Sequence, residues 1–222
     1  SRIEQRHVCP GALNSDVREH GDAVGDGRCL PASMIVRRPA QAADKVEQIV
    51  SPHAGYPYSG EVAACAYSAI PATFSGTFIV IGPSHRGFQT CISQIPWETP
   101  LGIIDIDPEL GSAIDLETDE ISHRDEHSLE VQMPFIKYRF PRARILPILM
   151  GDQDPASAEL LAAKVSDAVR QTKRDDIRFV ASSDFSHYVP AAVAKQNDLY
   201  AIEPLMTLDT KEFYRRIEER AL

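Results

Sequence analysis

The chain has 222 residues and a mass of 24.5 kDa, enough for one sizeable domain with a real core and short for two. Hydrophobic residues make up 43% and charged residues 25%, the balance of a folded domain, and a formal charge of −9 argues against nucleic-acid or anionic-membrane partners, because phosphate neutralisation needs clustered Lys and Arg. No apolar run approaches the ~20 residues that span a bilayer and no basic-then-apolar leader opens the chain, so a cytoplasmic location is expected.

Residues 1–44 show no sustained period and hold Gly21, Gly25 and Gly27 among scattered charges, so an irregular N-terminal arm is expected there. Gly25-Asp26-Gly27 is no dinucleotide fingerprint, since no strand precedes it and the third Gly is missing. From residue 45 to 222 strand-like and helix-like segments alternate, which predicts one α/β domain with a mixed, mostly parallel sheet flanked by helices on both faces. Strands are expected near 47–51, 77–82, 144–149 and 177–182. Helices are expected near 60–70, 107–116, 129–138, 155–171, 193–206 and 209–221.

Ser59-Gly60-Glu61 reads as the opening of the first helix, and Ile121-Ser122 reads as extended. Between 88 and 106, Cys91–Ile95 and Gly102–Ile106 flank Pro96 and Pro100, which predicts a short antiparallel excursion. In the helix over 155–171, Leu161, Val165 and Ala168 fall on one face and should cover the sheet. Asp209 with Glu212 three residues later reads as a helix start, and the stripe Phe213, Ile217, Ala221 runs to the last residue, as a domain truncated at its C-terminus would. Cys9, Cys29, Cys65 and Cys91 contain no C-x-x-C, so neither a disulfide framework nor a structural zinc knuckle is expected.

Three predicted strands end alike: an apolar run, a few small residues, then a histidine. The endings are Ser51-Pro52-His53, Gly82-Pro83-Ser84-His85 and Ser182-Ser183-Asp184-Phe185-Ser186-His187. Ligands of open α/β sheets bind outside the carboxyl ends of the strands, so these endings could gather three imidazoles and a carboxylate in one crevice. A single strand-end His also reads as an ordinary hydrogen-bonded loop residue; three with the same decoration favour a site. His53, His85 and Asp184 have the types of a two-His, one-carboxylate metal site, with His187 as a further ligand or acid/base. Pro52 and Pro83 stiffen the turns, the first helix is expected to aim its amides at the crevice, and Tyr56 and Tyr58 could present phenols there.

His123-Arg124-Asp125-Glu126-His127 matches H-x-x-E-H, a zinc-peptidase pattern, although the long helix it requires is not predicted; His127 is kept as a pocket residue. Ser84 beside His85 is no nucleophile elbow, since Gly82-Pro83-Ser84-His85-Arg86-Gly87 is not G-x-S-x-G.

The segments Ser51–Gly60, Gly82–His85, Glu126–Phe135 and Ser182–Tyr188 closely resemble the signature segments of the MEMO family, which is similar in fold to class III extradiol dioxygenases of the LigB type. The resemblance covers about residues 46–222; the Ala-Val-Ala-Gly and Phe-Tyr-Pro usual near the family's N-terminus are absent from 1–44. It implies metal ligands at His53 and His85, with Asp184 and His187 in the same pocket. The family's third ligand, a cysteine in a Cys-Gly context beyond the last predicted helix, has no counterpart, since no cysteine follows Cys91; Asp184 or water would complete the site.

The function this implies is a mononuclear Fe(II) or Cu centre, zinc being less favoured, in dioxygenase-like redox chemistry, with His187, Asp184 and His127 as catalytic candidates. Tyr56, Tyr58, Ser84 and Arg86 would line the pocket for a small molecule or peptide, and a homodimer is admissible. The competing reading is a non-enzymatic adaptor that uses the pocket for a peptide or small anion, with Arg86 as charge partner.

Overall fold

The computed structural model describes His7–Val8 and residues 46–222. In chain order the elements are β1 (His7–Val8), β2 (Gln48–Ser51), α1 (Tyr56–Ser68), β3 (Thr77–Pro83), β4 (Cys91–Ile92), β5 (Trp97–Thr99) and β6 (Gly102–Ile104). There follow α2 (Pro108–Ala113), α3 (Glu120–Arg124), α4 (His127–Glu130), α5 (Met133–Arg139), β7 (Arg144–Met150), α6 (Pro155–Thr172), β8 (Ile177–Ser182), α7 (Ala191–Leu205) and α8 (Thr210–Arg220).

The main sheet has five strands in the order β2-β8-β3-β7-β4. All neighbours are parallel except β4, which runs antiparallel to β7. A smaller sheet, β1-β5-β6, stands beside it. Near-continuous apolar runs form β3 and β7 because both faces of these strands are covered. Phe78 and Val80 of β3, with Ile145 and Leu149 of β7, pack with Ala66 and Tyr67 of α1, Leu129 of α4 and Met133 and Ile136 of α5. The intervening Ile79, Leu146 and Ile148 point the other way, onto Leu110 of α2 and Leu161, Val165 and Ala168 of α6. The predicted α6 face is thus the buried one.

At the opposite end of the sheet from the strand-end histidines, Asp107 is fully buried. It caps α2 through Glu109 N and Leu110 N at 3.1 Å each, and it accepts from Thr77 Oγ1 and pairs with Arg174. Burial works to raise its pKa, but the Thr77 hydroxyl, Arg174 and the Leu110 amide outweigh it and hold the carboxyl below the usual aspartate range. Asp154 and Asp209 cap α6 and α8 in the same manner.

Several boundaries differ from expectation, each for a local reason. Helix α1 begins at Tyr56, with Pro57 in its first turn, so Ser59-Gly60-Glu61 lies inside it rather than at its start. Ile121-Ser122 is helical, because the Asp119 side chain accepts from both of their amides and nucleates a short turn. The antiparallel excursion exists, but β6 pairs with β5, while Cys91–Ile92 joins the main sheet instead. The expectation of an irregular arm over 1–44 lies outside the described residues except for His7–Val8, which pairs parallel to β5. Cys65 is disulfide-bonded, a departure from the cysteine reading, and Cys91 is free and buried. Among the described residues no helix is long and apolar enough to cross a membrane.

Candidate metal centre

The sheet order carries the site. β8 enters between β2 and β3, with Ser182 opposite Ser51 and Ala181 opposite Ile81, so these strands end side by side although they are far apart in the chain. His53 follows β2, His85 follows β3, and Asp184 and His187 follow the strand between them. Helix α4 brings His127 over the end of β3. That approach depends on Gly82: a Cβ there would meet Ser128 Oγ at 2.8 Å and Leu129 Cδ2 at 3.0 Å. Ser128 Oγ in turn donates to Pro83 O at 2.9 Å.

Three imidazoles converge as a result. The rings of His53 and His85 are 5.2 Å apart and nearly perpendicular, His53 and His127 are 5.6 Å apart, and His85 stacks on His127 at 4.4 Å. One nitrogen from each ring lies within 4.8 Å of the others. An ion here would be held by His53, His85 and His127 together, the exposed His85 and His127 turning toward the buried His53. His53 is the buried wall of the cluster.

Two of the three imidazoles are braced by hydrogen bonds. Glu126, itself buried, accepts from His85 N and Nδ1 at 2.8 Å each and from Ser128 N at 3.0 Å, and its Oε1 lies 3.6 Å from His127 Nδ1. Burial works against the charge on Glu126, but the Ser128 and His85 amides and the His85 ring outweigh it, so its carboxyl is held below the usual glutamate range. An ionised carboxylate can only accept, so His85 Nδ1 carries a proton and Nε2 offers its lone pair. His53 N donates to Asp184 Oδ1 at 2.8 Å, and His53 Nδ1 lies 3.1 Å from Ser182 Oγ. Burial lowers the pKa of His53; Asp184 pulls it back up, and His85 and His127 lower it further. The net direction keeps this imidazole neutral, as a metal ligand must be.

The other candidates divide. Asp184 Oδ2 sits 3.7 Å from both His53 Nε2 and His187 Nε2, beside the cluster rather than within its donor set. His187 is exposed. Tyr56 packs its ring edge against Phe135 at 5.9 Å, and Tyr58 is 87% exposed. Ser84 Oγ accepts from Phe88 N at 2.9 Å and closes the turn after β3. Arg86 pairs with Asp125 at 3.0 Å.

The H-x-x-E-H reading is not assembled. His123 is buried in α3 with Nδ1 2.9 Å from Asp119 O and its ring edge-on to Trp97, while His127, in a separate helix, turns to His53 and His85. Cys91 sits by His123, its thiol pushed up to about 11 mainly by burial, and it lies outside the histidine group. Sequence reasoning missed Glu126 as the brace of His85; the word Glu126-His127-Ser128 was visible, but its partner stands 41 positions upstream.

A family model described as "Memo-like protein" matches residues 29–222, an earlier start than the residue-46 boundary read from the motifs. A MEMO1 family protein of Methanosarcina barkeri is 43% identical over 179 residues, covering 77% of this chain and 66% of the relative. One from Methanococcoides burtonii is 42% identical over 177 residues, with the same coverage of 77% and 66%. One from Methanothermobacter thermautotrophicus is 39% identical over 199 residues, covering 86% of this chain and 69% of the relative. The chain thus spans about two thirds of the length of the curated relatives it matches.

Proposed function

Because this chain belongs to the Memo-like family, we propose that it is a metal-binding protein of dioxygenase-like redox chemistry, holding one Fe(II) or Cu ion between His53, His85 and His127. The observation that carries this reading is the convergence of three imidazole nitrogens within 4.8 Å, with His85 backed by a buried carboxylate. Neutral imidazoles suit Fe, Cu and Zn alike, and a three-nitrogen set leaves coordination positions open. A bound redox-active ion supplies electron transfer or oxygen activation at those positions.

The protein's own residues do the rest. His53 and His85 would offer Nε2 from the turns that follow β2 and β3, and Asp184 fixes the His53 backbone while standing next to the donor set. Exposed His187, 3.7 Å from Asp184, is placed to hold or release a proton for a small-molecule substrate arriving from solvent. His127 is read as a third ligand here rather than as an acid/base, because its ring is part of the donor group.

The test is anaerobic titration with Fe(II), Cu(I) and Zn(II), followed by oxygen uptake over a catechol panel. Stoichiometric binding lost in His53→Ala, with metal-dependent oxygen uptake, is the expected result. Binding without uptake limits the protein to metal binding. No metal binding at all, with peptide capture insensitive to chelator, would replace this reading by the adaptor.

A further inference from the structure

Behind His53 lies a buried polar network in which every hydrogen has a forced place. Tyr67 OH donates to Gln132 Oε1 at 3.0 Å, and Gln132 Nε2 donates to Pro52 O at 3.0 Å and to Ser182 Oγ at 2.9 Å. Ser182 Oγ donates to Ser128 O at 2.5 Å and lies 3.1 Å from His53 Nδ1. Tyr67, Gln132, Ser182 and His53 are all buried.

Two backbone carbonyls set the direction. The carbonyl of Pro52 can only accept, so the amide group facing it must be the NH2 of Gln132, and Oε1 is left for the Tyr67 hydroxyl. The carbonyl of Ser128 also can only accept, and two oxygens 2.5 Å apart repel unless a hydrogen lies between them, so the single hydroxyl proton of Ser182 is spent there. Ser182 therefore meets both Gln132 Nε2 and His53 Nδ1 with lone pairs.

We infer that Ser182 and Gln132 are positioning residues that lock His53 in its Nδ1–H tautomer, so that Nε2, 3.7 Å from Asp184 Oδ2, keeps its lone pair for the cluster. The inference deepens the metal-site reading and rests on it for its purpose, though the tautomer is a property of the metal-free chain. His85 reaches the same tautomer by another device, the Glu126 carboxylate, so two ligands on different strands offer the same atom. An imidazole free in water favours the Nε2–H form, which would turn a proton toward the ion. The network holds the less favoured form in place before any metal arrives, and this is the sense in which a supporting shell preorganises a site.

The experiment is long-range 1H–15N correlation on the metal-free, 15N-histidine-labelled chain, with His53→Gln to assign the signal, followed by Fe(II) titration without oxygen. In the unsubstituted chain His53 is expected as Nδ1–H. Ser182→Ala is expected to move it toward Nε2–H and to weaken Fe(II) binding by about 10–100-fold, the usual range for loss of a ligand's supporting partner. Ser182→Thr, which keeps the hydroxyl, should keep the tautomer.

His53 found as Nε2–H in the unsubstituted chain would overturn the inference without recourse to any variant. So would a Ser182→Ala chain that changes tautomer yet binds Fe(II) as before. The expected tautomers in a chain that takes up neither Fe(II) nor Cu would instead support the network and remove the metal reading, so the two failures are distinguishable.

Discussion

Glu126 grips His85 at two points, accepting from its backbone N and from its Nδ1 at 2.8 Å each. One carboxylate thereby fixes both the turn after β3 and the orientation of the ring. Glu126→Gln keeps the shape but replaces one acceptor by an NH2 group that cannot receive either hydrogen. We expect metal affinity to fall about 10–100-fold, as for other ligand-orienting carboxylates. Calorimetric titration with the fold checked by circular dichroism measures it; unchanged affinity would remove Glu126 from the site.

The two histidines of the H-x-x-E-H word should behave oppositely. His127→Ala removes a ring from the donor group and should reduce metal binding with little change in stability, because that side chain is exposed. His123→Ala empties a buried position hydrogen-bonded to Asp119 O and should leave binding intact while costing about 1–3 kcal/mol. Paired metal titrations and urea melts separate the cases, and the reverse pattern would restore the peptidase-like pair.

Gly82→Ala tests how closely α4 must sit on β3. The added methyl would lie 2.8 Å from Ser128 Oγ, so α4 must shift or the β3 turn must bend. Overpacking of this kind costs about 1–3 kcal/mol. Since His127 opens α4 and Glu126 precedes it, metal affinity should drop together with stability. A variant as stable and as tight-binding as the parent would show that the helix is not held by this contact.

Asp107 contributes to acid stability from the far end of the sheet. Its carboxyl titrates below the usual aspartate range in the folded chain, so its contribution is fully present above the unfolded pKa of about 3.9 and is lost as pH falls through the lower folded value. Asp107→Ala removes the cap of α2 and the acceptor of Thr77, while Arg174 keeps Asp176 as a partner, so it should cost about 1–3 kcal/mol at neutral pH. Its stability should also decline less steeply than the parent's below pH ~4. Urea midpoints from pH 3 to 7 check both; parallel curves would contradict the assignment.

Much of the sheet was legible because buried parallel strands need unbroken apolar runs, and β3 and β7 supply them in Phe78–Ile81 and Ile145–Leu149. The face of α6 was legible for a similar reason, through the spacing of Leu161, Val165 and Ala168. Local side-chain capping was less readable: Asp119 makes Ile121-Ser122 helical where extended structure was expected, because one short carboxylate satisfies two amides at once. The start of α1 at Tyr56 was hidden by Pro57, which suits a first helical turn as well as a loop.

By itself the sequence determined which residues end strands in histidine, since that pattern is local and needs only a run of apolar residues and a turn. Which of those endings meet was decided by tertiary structure alone. The insertion of β8 between β2 and β3 joins residues more than a hundred positions apart, so that Ser182 and Asp184 touch His53. The same holds for the choice of His127 over His123 and for Glu126 as the brace of His85. No spacing rule encodes those choices, because side-chain direction at a site is set by how helices pack on the sheet, and that is a property of the whole core.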